Sequence, residues 1–554
     1  MKVHEALVDL LAAEGVDTIF TLASEEIIAL LSHMTEKSDR QFRVVHCRHE
    51  QSAALMADGY ARVSEGIGVC IVGRGPAIAQ TGTALVAANR RRSNVLYIVP
   101  EPRRASMFDG KGFEQTSFLR DLVGEVHSAR AVDSLLPTIA EAFRRIRAGN
   151  GPVAVQIPID VLEGTFDEVD VNAWADRGPT AQEARTRPDP QAIQDAVNVY
   201  LDADATKPPI VLVGRGAAKA EAIDEVAAVA KRIGGYIVTT VQAIGALEDH
   251  PYHLGFVGDL GSTLANEYLQ QTGFVLALGS SLTHHTVDKG HLLREDANIV
   301  HVDTEADHIG RFTTVDVGVV GDAKLAAAEL VERLDRLDID RHDEFWTERV
   351  RREIEGHETA SDRTVPAVEG TVDPRDLLPA LDRVLPEDRV VVSDVGHFCG
   401  FVFDRFPIRA GDRHVWAADF IALAQGLPMG LGAAMATEDR TCVVFAGDAG
   451  MMMSLPALET LFREQIPAIV IVMNDNALGA EYHIAKLRGL SGTIGDIPAP
   501  DFAELATEFG GNGYTIRSID DLENLEEGIS GPVVLDCKVN PKVTHRTMGN
   551  LEIE

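Results

Sequence analysis

Cysteine is scarce in this chain: five residues, Cys47, Cys70, Cys399, Cys442 and Cys537, among 554, with no Cys-x-x-Cys pair. That scarcity argues against a disulfide framework and against a zinc site of the paired-cysteine kind. Four of the five lie in or beside apolar runs, which suits reduced, buried thiols. No window holds the roughly 18 uninterrupted apolar residues of a membrane helix, and there is no low-complexity tract. Basic residues are also few, 51 Lys and Arg against 85 Asp and Glu, for a net charge of −34. Such a surface repels a nucleic-acid backbone, so no nucleic-acid or membrane partner is expected. The opening Met1-Lys2-Val3-His4-Glu5 runs straight into an amphipathic pattern instead of a secretory leader, and the expected location is the cytoplasm.

What is present is alternation. Val3, Ala6, Leu7, Leu10 and Leu11 make a helical apolar face closed by Gly15. Short β-branched runs then alternate with helical stretches such as Gln51 to Val63: Thr18–Phe20, Val44-Val45, Val69–Val72, Val95–Val99 and Pro152–Pro158. A polar, proline-bearing stretch near 167–190 reads as a linker. Strands are expected again at 209–213, 236–239, 274–278 and 299–302, with a helix from Ala217 to Arg232. A charged helix plus linker is expected from Asp338 to Ala367. The last unit has strand runs at 390–392, 443–446, 468–472 and 533–536. The pattern predicts three consecutive α/β domains with mainly parallel sheets, at 1–170, 190–335 and 370–554.

The most specific chemistry lies in the third unit. One apolar strand ends in Ala446-Gly447-Asp448-Ala449-Gly450, and the next ends in Met473-Asn474-Asp475-Asn476-Ala477-Leu478-Gly479. Ligands collect at the carboxyl ends of strands in open parallel sheets. Adjacent strands would set Asp448 and Asp475 side by side there. Two carboxylates and a backbone carbonyl suit a hard divalent ion that completes its shell with water and phosphate oxygens. Glycines at 447, 450 and 479 allow close approach to a diphosphate, and a helix starting near Gly450 would aim N–H groups at it.

These paired strings resemble the thiamine-diphosphate signature of the acetolactate synthase-like decarboxylases and carboligases, with Ala449 where relatives usually carry Gly. The resemblance implies the thiamine-diphosphate-binding fold and a magnesium ion held by Asp448, Asp475 and the carbonyl of Ala477, with Asn474 as the alternative ligand. It also implies cofactor contacts from Gly447, Ala449, Gly450, Leu478 and Gly479, and from Gly396 and His397 in the turn Asp394-Val395-Gly396-His397.

In the first unit, Arg48-His49-Glu50-Gln51 followed by Ala57-Asp58-Gly59-Tyr60-Ala61-Arg62 resembles the family segment whose glutamate hydrogen-bonds the cofactor's pyrimidine ring. That assigns the proton relay to Glu50, in an apolar surround expected to favour its protonated form, with His49 as a second acid or base. The segment ending in Gly426-Leu427-Pro428 resembles the one that bends the cofactor. It puts Leu423 under the bend and the carbonyl of Ile421 at the pyrimidine amine. In the family the first unit of one subunit faces the third unit of another, which implies a homo-oligomer with its active site at the subunit interface.

Val213-Gly214-Arg215-Gly216, Leu278-Gly279-Ser280 and His301-Val302-Asp303 extend the resemblance to the middle unit. Acetolactate synthases hold a flavin there, but no full Gly-x-Gly-x-x-Gly is present, and FAD is not expected. Other positions depart from the synthases. Thr21-Leu22-Ala23-Ser24 replaces a Gly-x-Pro-Gly loop, and Gly75-Pro76-Ala77-Ile78-Ala79-Gln80 replaces Gly-Pro-Gly followed by Asn. Phe113-Glu114-Gln115-Thr116 replaces Phe-Gln-Glu, leaving Gln115 the candidate for the catalytic glutamine. Ile159 stands where Lys is usual. Arg90-Arg91-Arg92 reads as a helix end or subunit contact, or as an attractor of an anionic substrate. The expected function is a carboligase acting on a small 2-oxo acid. A simple 2-oxo acid decarboxylase or a non-decarboxylating lyase is the alternative within the class. A flavin oxidoreductase and a non-catalytic relative are the alternatives outside it.

Overall fold

The computed structural model describes all residues except 38–41, 65, 107, 176–184, 342–344, 357–364, 410, 438, 524, 526–528 and 550–554. The expected linkers at 167–190 and 338–367 therefore fall partly outside the described residues, and a helix occupies Glu348–Gly356 in the second. Among the described residues eighteen strands form three six-stranded sheets. The first holds β1 (Thr18–Leu22), β2 (Arg43–His46), β3 (Gly68–Val72), β4 (Val95–Glu101), β5 (Glu125–Ser128) and β6 (Val153–Pro158) in the order β2-β1-β3-β4-β6-β5. The second holds β7 (Ile210–Val213), β8 (Tyr236–Thr240), β9 (His253–Val257), β10 (Phe274–Leu278), β11 (Asn298–Asp303) and β12 (Val317–Val320) in the order β12-β11-β10-β7-β8-β9. The third holds β13 (Arg389–Ser393), β14 (Arg413–Trp416), β15 (Thr441–Gly447), β16 (Ala468–Asn474), β17 (Asn512–Ile516) and β18 (Val533–Lys538) in the order β14-β13-β15-β16-β18-β17.

The first two sheets pair in parallel throughout, as do β13, β15, β16, β18 and β17 of the third. Every central strand is buried along nearly its whole length, because helices cover both faces. The expected helix at 217–232 is two helices, Arg215–Lys219 and Ile223–Ile233. None of the five cysteines is in a disulfide, and all are buried. No helix is long and apolar enough to cross a membrane among the described residues.

The chain folds into two compact units. Met1–Glu183, Pro366–Val402 and Val415–Val543 carry the first and third sheets; Ala184–Val365, Phe403–His414 and Thr544–Glu554 carry the second. One apolar core of the first unit runs from Phe20, Val45 and Cys70 to Leu427, Val444 and Val470, and a second, around Leu7, Ile19 and Phe143, covers the other face of the first sheet. At the centre of the former the helix Glu50–Val63 lies against the helix Gly426–Met435. The sequence prepares this contact with small residues: Ala53, Ala54, Ala57, Gly59 and Ala61 on one helix, Gly430, Gly432, Ala433 and Ala434 on the other. Glycine costs about 1 kcal/mol against alanine in a helix interior. It is required here because a Cβ on Gly59 would lie 2.0 Å from the Met429 carbonyl oxygen, and one on Gly432 would lie 1.9 Å from that of Met56.

Gly432→Ala should therefore destabilise the protein by about 1–3 kcal/mol, the usual penalty for overpacking, measured by urea denaturation. Gly110→Ala, where a Cβ meets nothing within 4 Å, is the control, expected to stay within about 0.5 kcal/mol of the parent. Equal stability of the two variants would contradict the close crossing.

Candidate active site

β15 and β16 are neighbours, with Gly447 opposite Met473. The chain leaves both at the same edge, so Asp448 and Asp475 emerge together. Asp448 is buried; its Oδ1 accepts the Ala449 N–H at 2.8 Å, and its Oδ2 is buried without a hydrogen-bond partner. Asp475 Oδ1 accepts the Ala477 N–H at 3.1 Å. Among the described residues neither carboxylate makes an ion pair. Burial pushes the Asp448 carboxyl up to about 6. Burial, reinforced by the charge of Asp448, pushes Asp475 up to about 7. Asn474 turns away: its Nδ2 donates to Asp536 Oδ1 at 2.9 Å, and its Oδ1 accepts the Asn476 N–H at 3.3 Å.

The following loop is fixed from outside. Asn476 adopts φ +58°. The Leu478 N–H bonds Gly495 O at 2.8 Å, and the Ile497 N–H bonds Asn476 O at 3.1 Å. Among the described residues no donor meets the Ala477 carbonyl. Gly479 leaves open the space between Asp475 and His397, since a Cβ there would lie 2.6 Å from Asp475 Oδ2 and 3.3 Å from His397 Cβ. His397 stacks near His483, ring centroids 4.3 Å apart, and burial drives His483 down to about 4, so it stays uncharged. The helix after β15 runs Asp448–Met453, two residues earlier than the sequence pattern placed it, so Ala449 and Gly450 lie inside it.

Asp394 organises the neighbouring turn. It is buried at the end of β13; its Oδ1 accepts the Val395 N–H at 2.8 Å and its Oδ2 the Ala424 N–H at 3.0 Å. Burial pushes this carboxyl up to about 6 although the N–H groups of Val395, Gly426, Ala424 and Gln425 pull the other way. The carboxylate thus faces the start of the helix Gly426–Met435, where helical N–H groups need acceptors. It also lies 2.9 Å from where a Gly450 Cβ would be. The turn it holds is unusual: Ile421 has φ +53° and Ala424 φ +69°, a region that costs a β-branched residue most. From the other side Arg62, itself buried, bridges Asp58 and Asp419 at 2.7 Å each. Arg90 stacks 4.7 Å from the Phe420 ring centroid and donates to Asp419 O at 3.4 Å. Leu423 is half-buried within this clamped turn.

Glu50 opens its helix at the end of β2, half-buried. Among the described residues its carboxylate has no hydrogen-bond or ion-pair partner. His49 caps the same helix: its Nδ1 accepts the Gln51 N–H at 3.1 Å, which leaves Nε2–H as the donor of the neutral ring. This turn meets the helix Leu455–Arg463 of the same chain through Arg48 and Glu459, 2.7 Å apart. It is not joined to Asp448 or Asp475 by any hydrogen bond or ion pair among the described residues. Gln115 is buried, its Oε1 accepting from Gly75 N–H at 3.0 Å and its Nε2 donating to Pro100 O at 3.1 Å.

The structure thus brings Asp448, Asp475, Ala477, Gly479, His397 and Gly450 together, with the Ile421–Leu423 turn beside them through Asp394. Glu50 and His49 stand on the first sheet. The donor set fits a divalent cation: one carboxylate oxygen without a partner, a second carboxylate charged against it, and an unclaimed carbonyl. Among the described residues no group of three or more His, Cys, Asp and Glu side chains could hold a metal, so phosphate and water oxygens would complete the shell. Sequence reasoning passed over the Asp394 carboxylate, although a lone acid closing an apolar run was a signal. It had no signal for the Arg62–Asp419 bridge, whose partners lie far apart in the chain.

Residues 1–120 match the thiamine pyrophosphate enzyme N-terminal TPP-binding domain, 203–330 the central domain and 394–537 the C-terminal TPP-binding domain. A sulfoacetaldehyde acetyltransferase from Castellaniella defragrans is 27% identical over 98% of this chain and 92% of its own length. An acetolactate synthase large subunit from Parasynechococcus marenigrum is 29% identical over 92% of this chain and 82% of its own. The fold matches that of a thiamine diphosphate-dependent 4-hydroxybenzoylformate decarboxylase from Rhodococcus jostii, with TM-score 0.79 and 19% identity over 98% and 99% of the two chains. The chain belongs to the thiamine-pyrophosphate-dependent enzymes, in their acetolactate synthase-like branch, as a lyase or transferase.

Proposed function

We propose that the protein is a magnesium-dependent carboligase that takes a small 2-oxo acid as its donor. The observation that carries this reading is the buried pair Asp448 and Asp475, with one oxygen unpartnered and, among the described residues, no cation of the protein beside it. A divalent ion bound by these carboxylates and the Ala477 carbonyl would anchor a diphosphate over Gly479 and His397. When bound, thiamine diphosphate supplies an acidic thiazolium carbon that adds to a carbonyl and accepts the electron pair of the neighbouring carbon–carbon bond. Glu50 would hold a proton at its carboxyl for the pyrimidine nitrogen, and His49 Nε2–H would donate to a developing alkoxide. Gln115 would set the turn at Gly75 against β4, since its amide is engaged with both. Leu423 would press from below on the bend between the cofactor's rings.

Glu50 and Asp448 sit on different sheets, and the turn beside the site exposes Ile421 (60%), with Met452 (44%) and Met453 (64%) on the following helix. An apolar surface at the mouth of a polar site supports a second copy of the chain covering it and lending its Glu50. The middle unit supports a protein without flavin. The Gly214 and Gly216 N–H groups are spent on Leu278 O and Gly279 O, at 2.9 and 2.8 Å, and are not left for a phosphate. A cytoplasmic setting fits five buried thiols outside disulfides.

Carbon dioxide release from pyruvate and other 2-oxo acids is expected to require both thiamine diphosphate and magnesium and to collapse in Glu50→Gln. Product analysis separates a condensed 2-hydroxy ketone from an aldehyde. Release that survives in Glu50→Gln would remove the proton relay from Glu50. Mixing the inactive Glu50→Gln and Asp448→Asn proteins, after subunit exchange, should restore about a quarter of wild-type activity if sites form between subunits. No restoration would place each site within one chain.

The raised acids also predict a pH dependence. A carboxyl with a higher pKa folded than unfolded binds more protons in the native state, so its contribution is present below about 4 and is lost as pH rises through about 7. The metal-free protein should lose thermal stability across that window more steeply than Asp475→Asn does. Magnesium with thiamine diphosphate should restore more stability at pH 7.5 than at pH 5. Parallel melting profiles for parent and variant would contradict the pair's strain.

A further inference from the structure

In a parallel sheet the crevice for ligands opens where the chain reverses its direction of strand addition. In the third sheet that reversal falls between β13 and β15, where Asp394 and Asp448 stand. In the first sheet it falls between β1 and β3. The residues just beyond those two strands are Ser24 and Glu26 on one side and Gly73 and Arg74 on the other. They lie in or beside the two turns, Thr21–Ser24 and Gly75–Gln80, where this chain departs from the synthase pattern.

Arg74 is mostly buried, with 15% of its side chain exposed. Its Nη1 donates to both oxygens of Asp109 at 2.5 Å. Its Nε lies 3.2 Å from Glu26 Oε1 without the alignment of a hydrogen bond. Among the described residues its Nη2 has no partner. Glu26 Oε1 also takes the Lys111 ammonium at 2.7 Å. The neighbouring Ser24 hydroxyl and the Glu26 backbone N–H also face this carboxylate and, with Lys111, help hold its pKa below the usual carboxylate value against the effect of burial. The guanidinium is thus committed to Asp109 through one nitrogen only, and its Nη2 edge is left for a further acceptor. Asp109 arrives on the segment between β4 and the helix Gln115–Val123, flanked by the exposed Phe108 and Phe113.

We propose that Arg74 recognises a substrate carrying an oxyanion group, carboxylate or sulfonate, away from its reacting carbonyl, and that Asp109 holds the guanidinium until that anion displaces it. The charges support the exchange. Arg74 and Lys111 balance Glu26 and Asp109; with Asp109 withdrawn, one positive charge is left over in a mostly buried crevice, and the incoming anion restores neutrality. Arg74 Nη1 and Nη2 then supply the paired donors an oxyanion needs. The crevice lies on the same sheet edge as Glu50, so the anion would anchor the far end of a substrate whose carbonyl reacts at the cofactor. The assignment rests on the carboligase reading only for the identity of that carbonyl.

Calorimetric titration of succinate and of sulfoacetate into the full-length protein, with thiamine diphosphate and magnesium present, tests it; neutral succinamide is the control. Wild type should bind at least one anion and not the amide, and the tighter of the two names the head group. Arg74→Gln should weaken that anion about tenfold or more, and Arg74→Lys should recover part of the loss. Asp109→Asn, which removes the internal competitor, should tighten the anion several-fold. Thiamine diphosphate affinity, titrated separately, should be unchanged in all three, so a failure of the cofactor reading shows in wild type alone. Anion binding that is absent in wild type, unaffected by Arg74→Gln, or weakened by Asp109→Asn would overturn the proposal, the last by showing the pair to be a structural pin.

Discussion

Two carboxylates, Asp448 and Asp475, are held side by side at the ends of adjacent strands, and among the described residues only backbone N–H groups answer them. Desolvation and mutual repulsion both penalise that arrangement. The surrounding structure is organised to enforce it. Asn474 is anchored to Asp536, which is itself buried against Lys538, so the strand cannot rotate Asp475 away. The 493–499 segment clamps the loop from outside, and Gly479 keeps the space beyond the pair open. A site that stores like charge in this way is suited to a divalent cation and its phosphate ligands, and poorly suited to any neutral occupant.

The same constraint reaches the first sheet through backbone contacts. Asp394 joins the end of β13 to the Ile421–Gly426 turn, where two non-glycine residues sit in left-handed conformations. That turn leads into the glycine-rich helix Gly426–Met435, which lies directly on the helix that Glu50 begins. Arg62 closes the loop by pairing with Asp419. Strain at Ile421 and Ala424 is held because both ends of the turn are tied down.

Much of this was legible in the sequence, and the missing parts share one cause. Central strands, covered on both faces, read as continuous apolar runs such as Ala468–Val472 and Phe274–Leu278. The strands that escaped notice, β5, β9, β12, β14 and β17, are all edge strands. Most are half exposed with mixed burial, and β9 carries an internal glycine and an irregular register with β8. The strings around Asp448, Asp475 and Glu50 were readable because each is contiguous in the sequence and closes a strand or opens a helix. The Asp394 carboxylate, the Arg62–Asp419 bridge and the Arg74 cluster depend on contacts between distant segments, which residue spacing does not record. Asp475 was the expected ligand and Asn474 the alternative one position away; the structure commits the Asn474 amide to Asp536.

If the Asp448–Asp475 pair holds a metal that in turn holds the diphosphate, thiamine diphosphate binding must depend on that metal. Titrating thiamine diphosphate into the metal-free protein, with magnesium in one arm and EDTA in the other, measures this dependence. Tight binding is expected with magnesium, at most weak binding in EDTA, and loss of the difference in Asp475→Asn. Binding that is equally tight in both arms would contradict it.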